Sequence, residues 1–327
     1  MKKKVILNRL MERNQAIDVT KGLGIIAVIV GHMMSTGNWL FSFHMPLFFI
    51  FAGYFFKPKD IGATLKKDAM RLLVPYAVTA AAVVIGWAAL ALRDGEGFRL
   101  SWLVAAAYGC GSALHTSRYL SQVPLIGAIW FLLALFWCKN FFNIVYQAPL
   151  KNRGLAAVVW GTSVGAILLD TYVVNLPLAI LPGLGGVFFY WIGFQLKRLD
   201  LLNNFRWWLE PPLYIAWLAA ALLSAMSMAR CYYECFPLDV LGACGGTLLV
   251  YRISVLITKC PWVNRLLAWV GQNSLLILCV HLFDLDVRFL KAVGCPRPGR
   301  AYTEIAFCLL AAALLNLIPP VRRIFKP

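Results

Sequence analysis

The fold of this chain is decided by two neighbouring apolar runs, KGLGIIAVIVGHMM at residues 21–34 and SFHMPLFFIFAGYFF at residues 42–56. Each run is typical of a membrane helix, and the short turn between them predicts a hairpin. His32 lies near the end of the first run and His44 near the start of the second, so the hairpin places both rings at a similar depth. An imidazole inside a bilayer span is costly and rarely serves packing alone. The pattern therefore predicts chemistry at that depth.

The composition places the chain among integral membrane proteins. Of its 327 residues, 61% are hydrophobic and 14% are charged, whereas about a quarter of the residues in a soluble domain are charged. The formal net charge of +17 raises the question of nucleic-acid binding. The basic residues, however, lie in short segments between apolar runs, which is the distribution that sets membrane topology. We therefore expect contacts with membrane lipids and no nucleic-acid partner.

Ten apolar segments are predicted to cross the membrane as α-helices. Segment 100–114 is apolar but short and contains two glycines, so it is predicted to be re-entrant or interfacial. The ten predicted spans lie near residues 20–36, 40–56, 72–92, 122–139, 154–171, 178–196, 211–229, 238–257, 267–283 and 302–320.

The basic residues between the spans predict the orientation. With ten spans and a cytoplasmic N-terminus, the inner segments hold 23 Lys and Arg and the outer segments hold eight. If segment 100–114 also spanned, the tally would become 17 against 14. The first partition fits the positive-inside rule better. The sequence thus predicts an all-α polytopic integral membrane protein, one domain over residues 1–327 with both termini cytoplasmic, as a multi-pass protein of a bacterial inner (cytoplasmic) membrane.

The first helix carries a polar stripe of three residues. At 100° per residue, His32 projects within about 20° of Lys21 and about 40° of Asp18. Asp18 and His32 are separated by about 21 Å of helix, so Asp18 does not orient the imidazole. We expect Asp18 to pair with Lys21 or an arginine at the cytoplasmic mouth, or to form with Lys21 an ordinary charge pair at a helix start.

Three further polar residues join His32 in the candidate site. A neutral imidazole accepts a proton from an alcohol at neutral pH, so His32 is the candidate general base. His44, Asn273 and His281 are candidates for catalytic support, the last two because the ninth predicted span carries the polar run Gly271–Ser274 and then His281. The alternative is that these side chains only form hydrogen bonds between helices.

A basic cluster follows the second predicted span and ends at the edge of the third. Such clusters usually set topology or hold anionic lipid, and they also bind the phosphates of a cofactor. Arg71 stands at the start of the third span, where its guanidinium can face a cavity. The cluster comprises Lys57, Lys59, Lys66, Lys67 and Arg71.

No metal is expected from the sequence. Two histidines can ligate a metal, but no carboxylate or cysteine at a suitable spacing provides a third ligand. The sequence also lacks a phosphate-binding P-loop, an H-E-x-x-H motif and a G-x-S-x-G motif.

At these residues the chain resembles the membrane acyltransferase type three family, and especially its fucose 4-O-acetylase-like branch. Five blocks occur in the family's order and cover most of the chain. They are Asp18-x-x-Lys21-Gly22 leading to Gly31-His32; residues 42–56 with Pro46, Phe48, Gly53 and Tyr54; the basic run ending Arg71-Leu72-Leu73-Val74-Pro75-Tyr76; Trp130-Phe131-Leu132; and Gly271-Gln272-Asn273-Ser274-Leu275 with His281.

The resemblance implies a ten-helix enzyme that moves an acyl group, commonly acetyl from acetyl-CoA, to a carbohydrate hydroxyl. His32 matches the family's essential histidine. Arg71 matches the second position of its paired-arginine motif, whereas Asp68 stands at the first position, with Lys66 and Lys67 beside it. These three basic residues are the expected donor-binding set, and the expected acceptor is a surface glycan or a lipid-linked saccharide. The alternatives are a transporter or flippase for a glycolipid or small anion, and a non-catalytic scaffold.

Overall fold

The computed structural model describes residues 2–34, 36–113, 116–120, 122–292, 294 and 300–325, with the backbone alone described for residues 2–14, 292 and 300. The described chain is mostly helical. The helices of the first half are α1 (Lys2–Met33), α2 (Asn38–Phe41), α3 (His44–Tyr54), α4 (Ile61–Asp68), α5 (Val74–Arg93), α6 (Leu100–Tyr108), α7 (Trp130–Gln147) and α8 (Asn152–Leu168). Two π-helical turns, Ala69–Leu73 and Leu169–Val173, follow α4 and α8.

The second half continues the helical bundle and adds one small hairpin. Its helices are α9 (Ile180–Gly185), α10 (Val187–Arg198), α11 (Glu210–Leu223), α12 (Phe236–Ile257), α13 (Pro261–Gln272), α14 (Ser274–Val287), α15 (Phe289–Ala292), α16 (Arg300–Leu315) and α17 (Pro319–Phe325). Short 3₁₀ turns lie at Pro177–Ala179 and Met228–Arg230. Strands β1 (Met226–Ser227) and β2 (Tyr232–Tyr233) pair antiparallel and form a small hairpin in a fold that is otherwise mostly helical, as the sequence predicts.

The described residues contain four helices long and apolar enough to cross a membrane, or up to seven spans if each bent helix pair counts as one. The four are Gln15–Met33, Ile61–Arg93, Asn152–Val173 and Phe236–Ile257. The pairs α9–α10, α13–α14 and α16–α17 are bent by 46°, 69° and 113°. The chain is therefore a polytopic helical membrane protein. The count of ten spans and the cytoplasmic termini stay predictions.

Several predicted boundaries differ from the observed helices, and proline or glycine accounts for most of the differences. The span predicted at 122–139 begins only at Trp130, because Pro124 and Gly127, whose φ is +76°, precede it. The span predicted at 302–320 breaks after Leu315, before the paired prolines that open α17. The span predicted at 211–229 ends at Leu223 and gives way to the hairpin.

Two shorter elements bear on the hairpin and on segment 100–114. The span predicted at 40–56 is divided into α2 and α3, and α3 has 11 residues, which is about 16 Å of rise. Helix α6 has nine residues and ends at Gly109 in the left-handed conformation, so it is too short to cross about 30 Å of hydrocarbon.

Helix α1 lies at the centre of the bundle, in contact with α3, α12, α13, α14 and α16. Glycines allow its closest crossing. A Cβ on Gly271 would lie 1.8 Å from the Asp18 carbonyl oxygen, and a Cβ on Gly22 would lie 2.3 Å from the Leu267 carbonyl oxygen. Gly22 of the first sequence block and Gly271 of the fifth are therefore explained by the contact between α1 and α13.

Candidate active site

A wide cavity of about 630 Å³ lies between α1, α3, α7, α14 and the segment that follows α3. This volume falls in the range of pockets that hold cofactor-sized ligands. Phe48, Leu135, Leu275 and their neighbours give it an apolar wall. Six basic side chains and one carboxylate also line it, so its charge is strongly positive: Lys21, Lys57, Lys59, Lys67, Arg71, Lys139 and Asp68.

Specific hydrogen bonds hold the basic segment against α7. The Asn143 side chain donates to the Lys59 carbonyl at 3.0 Å and accepts from the Lys59 amide at 3.4 Å. Gln147 donates to the same carbonyl at 2.8 Å. Asp60 then caps α4 by accepting from the Ala63 amide at 2.8 Å. These hydrogen bonds therefore hold the loop in one position at the wall of the wide cavity.

Arg71 and Lys67 line the wide cavity, and Lys66 is not among its lining residues. Arg71 lies in the π-helical turn Ala69–Leu73 between α4 and α5. Such single π turns interrupt α-helices at functional sites more often than elsewhere. The side chains of Lys66 and Lys67 project from α4 in directions 100° apart. Lys67 therefore lines the cavity and Lys66 does not, a difference that the sequence alone does not reveal.

Asp68, at the position where the resemblance implies an arginine, forms a buried ion pair across the cavity. Its Oδ1 lies 2.6 Å from Lys139 Nζ, and the Asp68 side chain is 4% exposed. A buried carboxylate requires such a partner. The substitution of aspartate for the first arginine is thus accompanied by a lysine on α7, which the sequence analysis did not single out.

Lys21 lines the wide cavity from the middle of α1, and Asp18 lies about one turn before it on the same helix. The Lys21 ammonium lies 5.1 Å from the centroid of the Phe55 ring, in a cation–π arrangement. Asp18 accepts a hydrogen bond from the Gln272 side chain at 2.9 Å. Asp18 therefore has a partner on α13 and takes part in the crossing of α1 and α13.

A second, inner cavity of about 60 Å³ contains both hairpin histidines. His32 and His44 line it together with Phe41, Trp130 and residues of the small hairpin, Met226–Ala229. The His32 and His44 rings both meet the Phe41 ring at steep angles, with centroid distances of 6.0 Å and 4.9 Å. The helical hairpin of α1 and α3 thus brings His32 and His44 to the same cavity, as their spacing predicts.

The inner cavity adjoins the wide one. Val28, Met45 and Leu278 line both cavities, and they come from α1, α3 and α14. Lys21 at the wide cavity and His32 at the inner cavity are 11 residues apart on α1, which corresponds to about 17 Å of rise. The two cavities therefore lie side by side, one beside the basic side chains and one beside the histidines, with these three apolar residues in the wall that they share.

His32 is the first member of a row of three hydrogen-bonding side chains. His32 Nδ1 lies 3.4 Å from His281 Nε2, and His281 Nδ1 lies 2.8 Å from Glu304 Oε1. His281 and Glu304 are fully buried, whereas His32 is partly exposed. Buried polar groups need such partners, and both ring nitrogens of His281 have one. The row joins α1, α14 and α16 at the inner cavity.

Glu304 was missed by the sequence analysis, although a signal for it exists. It lies in the apolar run AYTEIAFCLLAAALL, and a carboxylate inside a membrane-length apolar run is a functional-site candidate by its cost alone. Its contact with His281 joins two helices, and no spacing within either helix predicts it.

His281, Glu304 and Cys308 also form the kind of group that can hold a metal ion, since their ligand atoms all lie within 4.8 Å of one another. Two ligands of a tetrahedral zinc ion stand about 3.4 Å apart. The 2.8 Å separation between His281 Nδ1 and Glu304 Oε1 is instead a hydrogen-bond distance. The geometry favours a hydrogen-bonded row, and the expectation of no metal stays a prediction.

The other polar candidates have mainly structural partners. Asn273 occupies the bend between α13 and α14, where its amide donates to the Trp269 carbonyl at 2.7 Å and accepts from Asn316 at 2.8 Å. His44 Nδ1 lies 2.6 Å from the Leu40 carbonyl, which leaves Nε2 as the acceptor of a neutral ring. His44 borders the inner cavity, and Asn273 is not among its lining residues.

A family model described as an acyltransferase domain matches residues 14–290. No curated protein and no solved structure gives a significant match. The matched segment contains His32, His44, Arg71 and His281, and Glu304 lies beyond it. Because the match covers most of the sequence, the chain belongs to the acyltransferase type 3 family of membrane proteins.

Proposed function

We propose that this membrane acyltransferase transfers acetyl from acetyl-CoA to a hydroxyl of a cell-surface or lipid-linked glycan sugar, with His32 as the general base. The observation that carries the proposal is the pair of adjoining cavities. A wide, basic cavity has the size for a nucleotide-bearing donor, and the inner cavity next to it contains His32.

The wide cavity suits coenzyme A by charge and by shape. Arg71 and Lys67 face it, and the phosphates of coenzyme A are anions that a guanidinium and an ammonium both bind. Lys57 and Lys59 add positive charge beside them. The pantetheine arm then follows the apolar wall past Phe48 and Leu135 toward the inner cavity. Its extended length is comparable to the rise of about 17 Å from Lys21 to His32.

The row His32–His281–Glu304 gives His32 the tautomer that a base requires. With Glu304 ionised, the carboxylate accepts the Nδ1 proton of His281. Neutral His281 then offers its Nε2 lone pair to the Nδ1 proton of His32. His32 keeps a lone pair on its own Nε2, and Glu304 acts on it only through His281.

The reaction then proceeds as an ordinary acyl transfer. His32 Nε2 takes the proton of the sugar hydroxyl while the oxygen attacks the thioester carbonyl. The tetrahedral intermediate expels the coenzyme A thiolate, which recovers the proton from His32 and leaves as the free thiol. The sugar retains the acetyl group as an ester. The His44 ring borders the same cavity. Its Nε2 accepts a hydrogen bond from the sugar substrate and so orients the sugar.

The acceptor and the membrane follow from the resemblance rather than from the cavities. The fucose 4-O-acetylase-like branch favours a sugar hydroxyl, and we place the protein in a bacterial inner membrane with the wide cavity open to the cytoplasm, where acetyl-CoA is made. A transporter or flippase is the competing function. The match to an acyltransferase family favours transfer over transport.

Transfer of isotopically labelled acetyl tests the proposal. The purified chain in nanodiscs is incubated with acetyl-labelled acetyl-CoA and the glycan and glycolipid fraction of its host cells. We expect free coenzyme A to appear together with label in the carbohydrate as an alkali-labile ester. A transporter predicts neither product, and unlabelled carbohydrate would contradict the proposal.

Arg71→Ala should weaken donor binding with little effect at saturating donor, because Arg71 faces the wide cavity and not the inner one. Loss of a charge-assisted contact costs about 1.5–3 kcal/mol, which is a rise in apparent KM for acetyl-CoA of roughly 10- to 150-fold. Lys66→Ala is the matched control, since it also removes a cation but lies off the cavity. Equal KM values for the two variants would reject the role of Arg71.

A further inference from the structure

We propose that Val28, Met45 and Leu278 form a restriction that limits the transferred acyl group to about two carbons. This inference rests on the proposed function and adds to it the residues that select the donor. Among the residues that the structure describes, these three line both the wide and the inner cavity.

Each residue of the restriction lies on a helix that also carries a histidine. Val28 lies four residues before His32 on α1, Leu278 lies three residues before His281 on α14, and Met45 follows His44 on α3. Residues three or four apart on a helix share a face. The side chains of the restriction therefore lie one helical turn or less from the imidazoles, where the thioester must stop for its carbonyl to meet His32.

The inner cavity beyond the restriction holds little more than an acetyl group. A volume of about 60 Å³ accommodates about four to six water-sized atoms at 10–15 Å³ each. An acetyl group has three non-hydrogen atoms, and the attacking hydroxyl oxygen adds a fourth. A butyryl group has two carbons more, and Phe41, Trp130 and Met226 stand in the walls that those carbons would meet.

The wide cavity cannot distinguish donors by the length of their acyl group. At about 630 Å³ with an apolar wall, it accepts the pantetheine arm whatever acyl group the arm carries. Selection then falls to the restriction and the inner cavity. One methylene too many in a fitted apolar site typically costs about 10-fold or more in discrimination.

Binding of S-ethyl-, S-propyl- and S-butyl-coenzyme A tests the inference without an acceptor. These thioethers have no carbonyl, so they bind without reacting. We expect the full chain in nanodiscs to bind S-butyl-coenzyme A at least about tenfold more weakly than S-ethyl-coenzyme A. Met45→Ala should bring the two dissociation constants within about threefold, because it removes the longest side chain of the restriction. Val28→Ala, a smaller change, should reduce the ratio in the same direction.

Leu135→Ala is the control, because Leu135 lines the wide cavity and not the inner one. It should keep the wild-type ratio. Equal binding of the three thioethers by the wild type would overturn the inference, as would a wild-type ratio in both Met45→Ala and Val28→Ala. Failure to bind coenzyme A itself gives a different result, since it would overturn the proposed donor and with it the function on which the restriction rests.

Discussion

Glu304→Gln should lower acyl transfer at saturating acetyl-CoA by about 10²-fold. An ionised carboxylate only accepts hydrogen bonds, whereas an amide also donates, so the substituted side chain no longer fixes the Nδ1 proton of His281. The contact of His281 Nε2 with His32 Nδ1 then no longer favours one tautomer of His32. In a serine protease triad, the corresponding amide substitution next to the base costs about 10⁴-fold. Glu304 acts through one more imidazole, so we expect the smaller factor.

The donor dependence separates this role from a structural one. Because Glu304 contacts His281 and is not among the residues that line the wide cavity, the apparent KM for acetyl-CoA should stay within about threefold of the wild type. Tyr302→Phe, on the exposed side of the same helix, should leave both parameters unchanged. Wild-type kcat in Glu304→Gln would show that His281 does not depend on its carboxylate partner.

The sequence was sufficient to predict a membrane protein and to predict that His32 and His44 lie at one site. Their spacing around a short turn is a local property, and composition alone identified the membrane. The helix boundaries failed where proline, glycine or a short hairpin interrupts an apolar run, as at Trp130 and Leu223. Hydropathy averages over a window and does not register such breaks.

Contacts between distant helices could not be predicted from one sequence. The pair Asp68–Lys139 spans 71 residues and the pair His281–Glu304 spans 23, and each joins two different helices. Glu304 and Lys139 were nevertheless visible as single charged residues inside apolar runs, and the cost of burying them was the available signal. Gly22 and Gly271 differ from these charged residues, because the close crossing of α1 and α13 explains why both positions are glycine and no catalytic role is needed.

His32→Ala should lower acyl transfer by about 10²- to 10⁴-fold, the range expected for loss of a general base. Acetyl-CoA binding should persist, because the basic side chains and the apolar wall of the wide cavity are untouched. The variant should also insert and accumulate normally, since His32 is partly exposed and its removal leaves no buried charge. Met34→Ala is the matched control, because Met34 lies just beyond the same helix end and is 55% exposed.

The central claim is that the donor thioester and the acceptor hydroxyl meet at the His32 imidazole. Its most direct test is the transfer of labelled acetyl in a single turnover, with donor saturating, by the wild type, His32→Ala and Met34→Ala in the same nanodiscs. We expect the wild type and Met34→Ala to form labelled carbohydrate ester at equal rates and His32→Ala to bind the donor but form almost none. Ester formation by His32→Ala at the wild-type rate would contradict the claim.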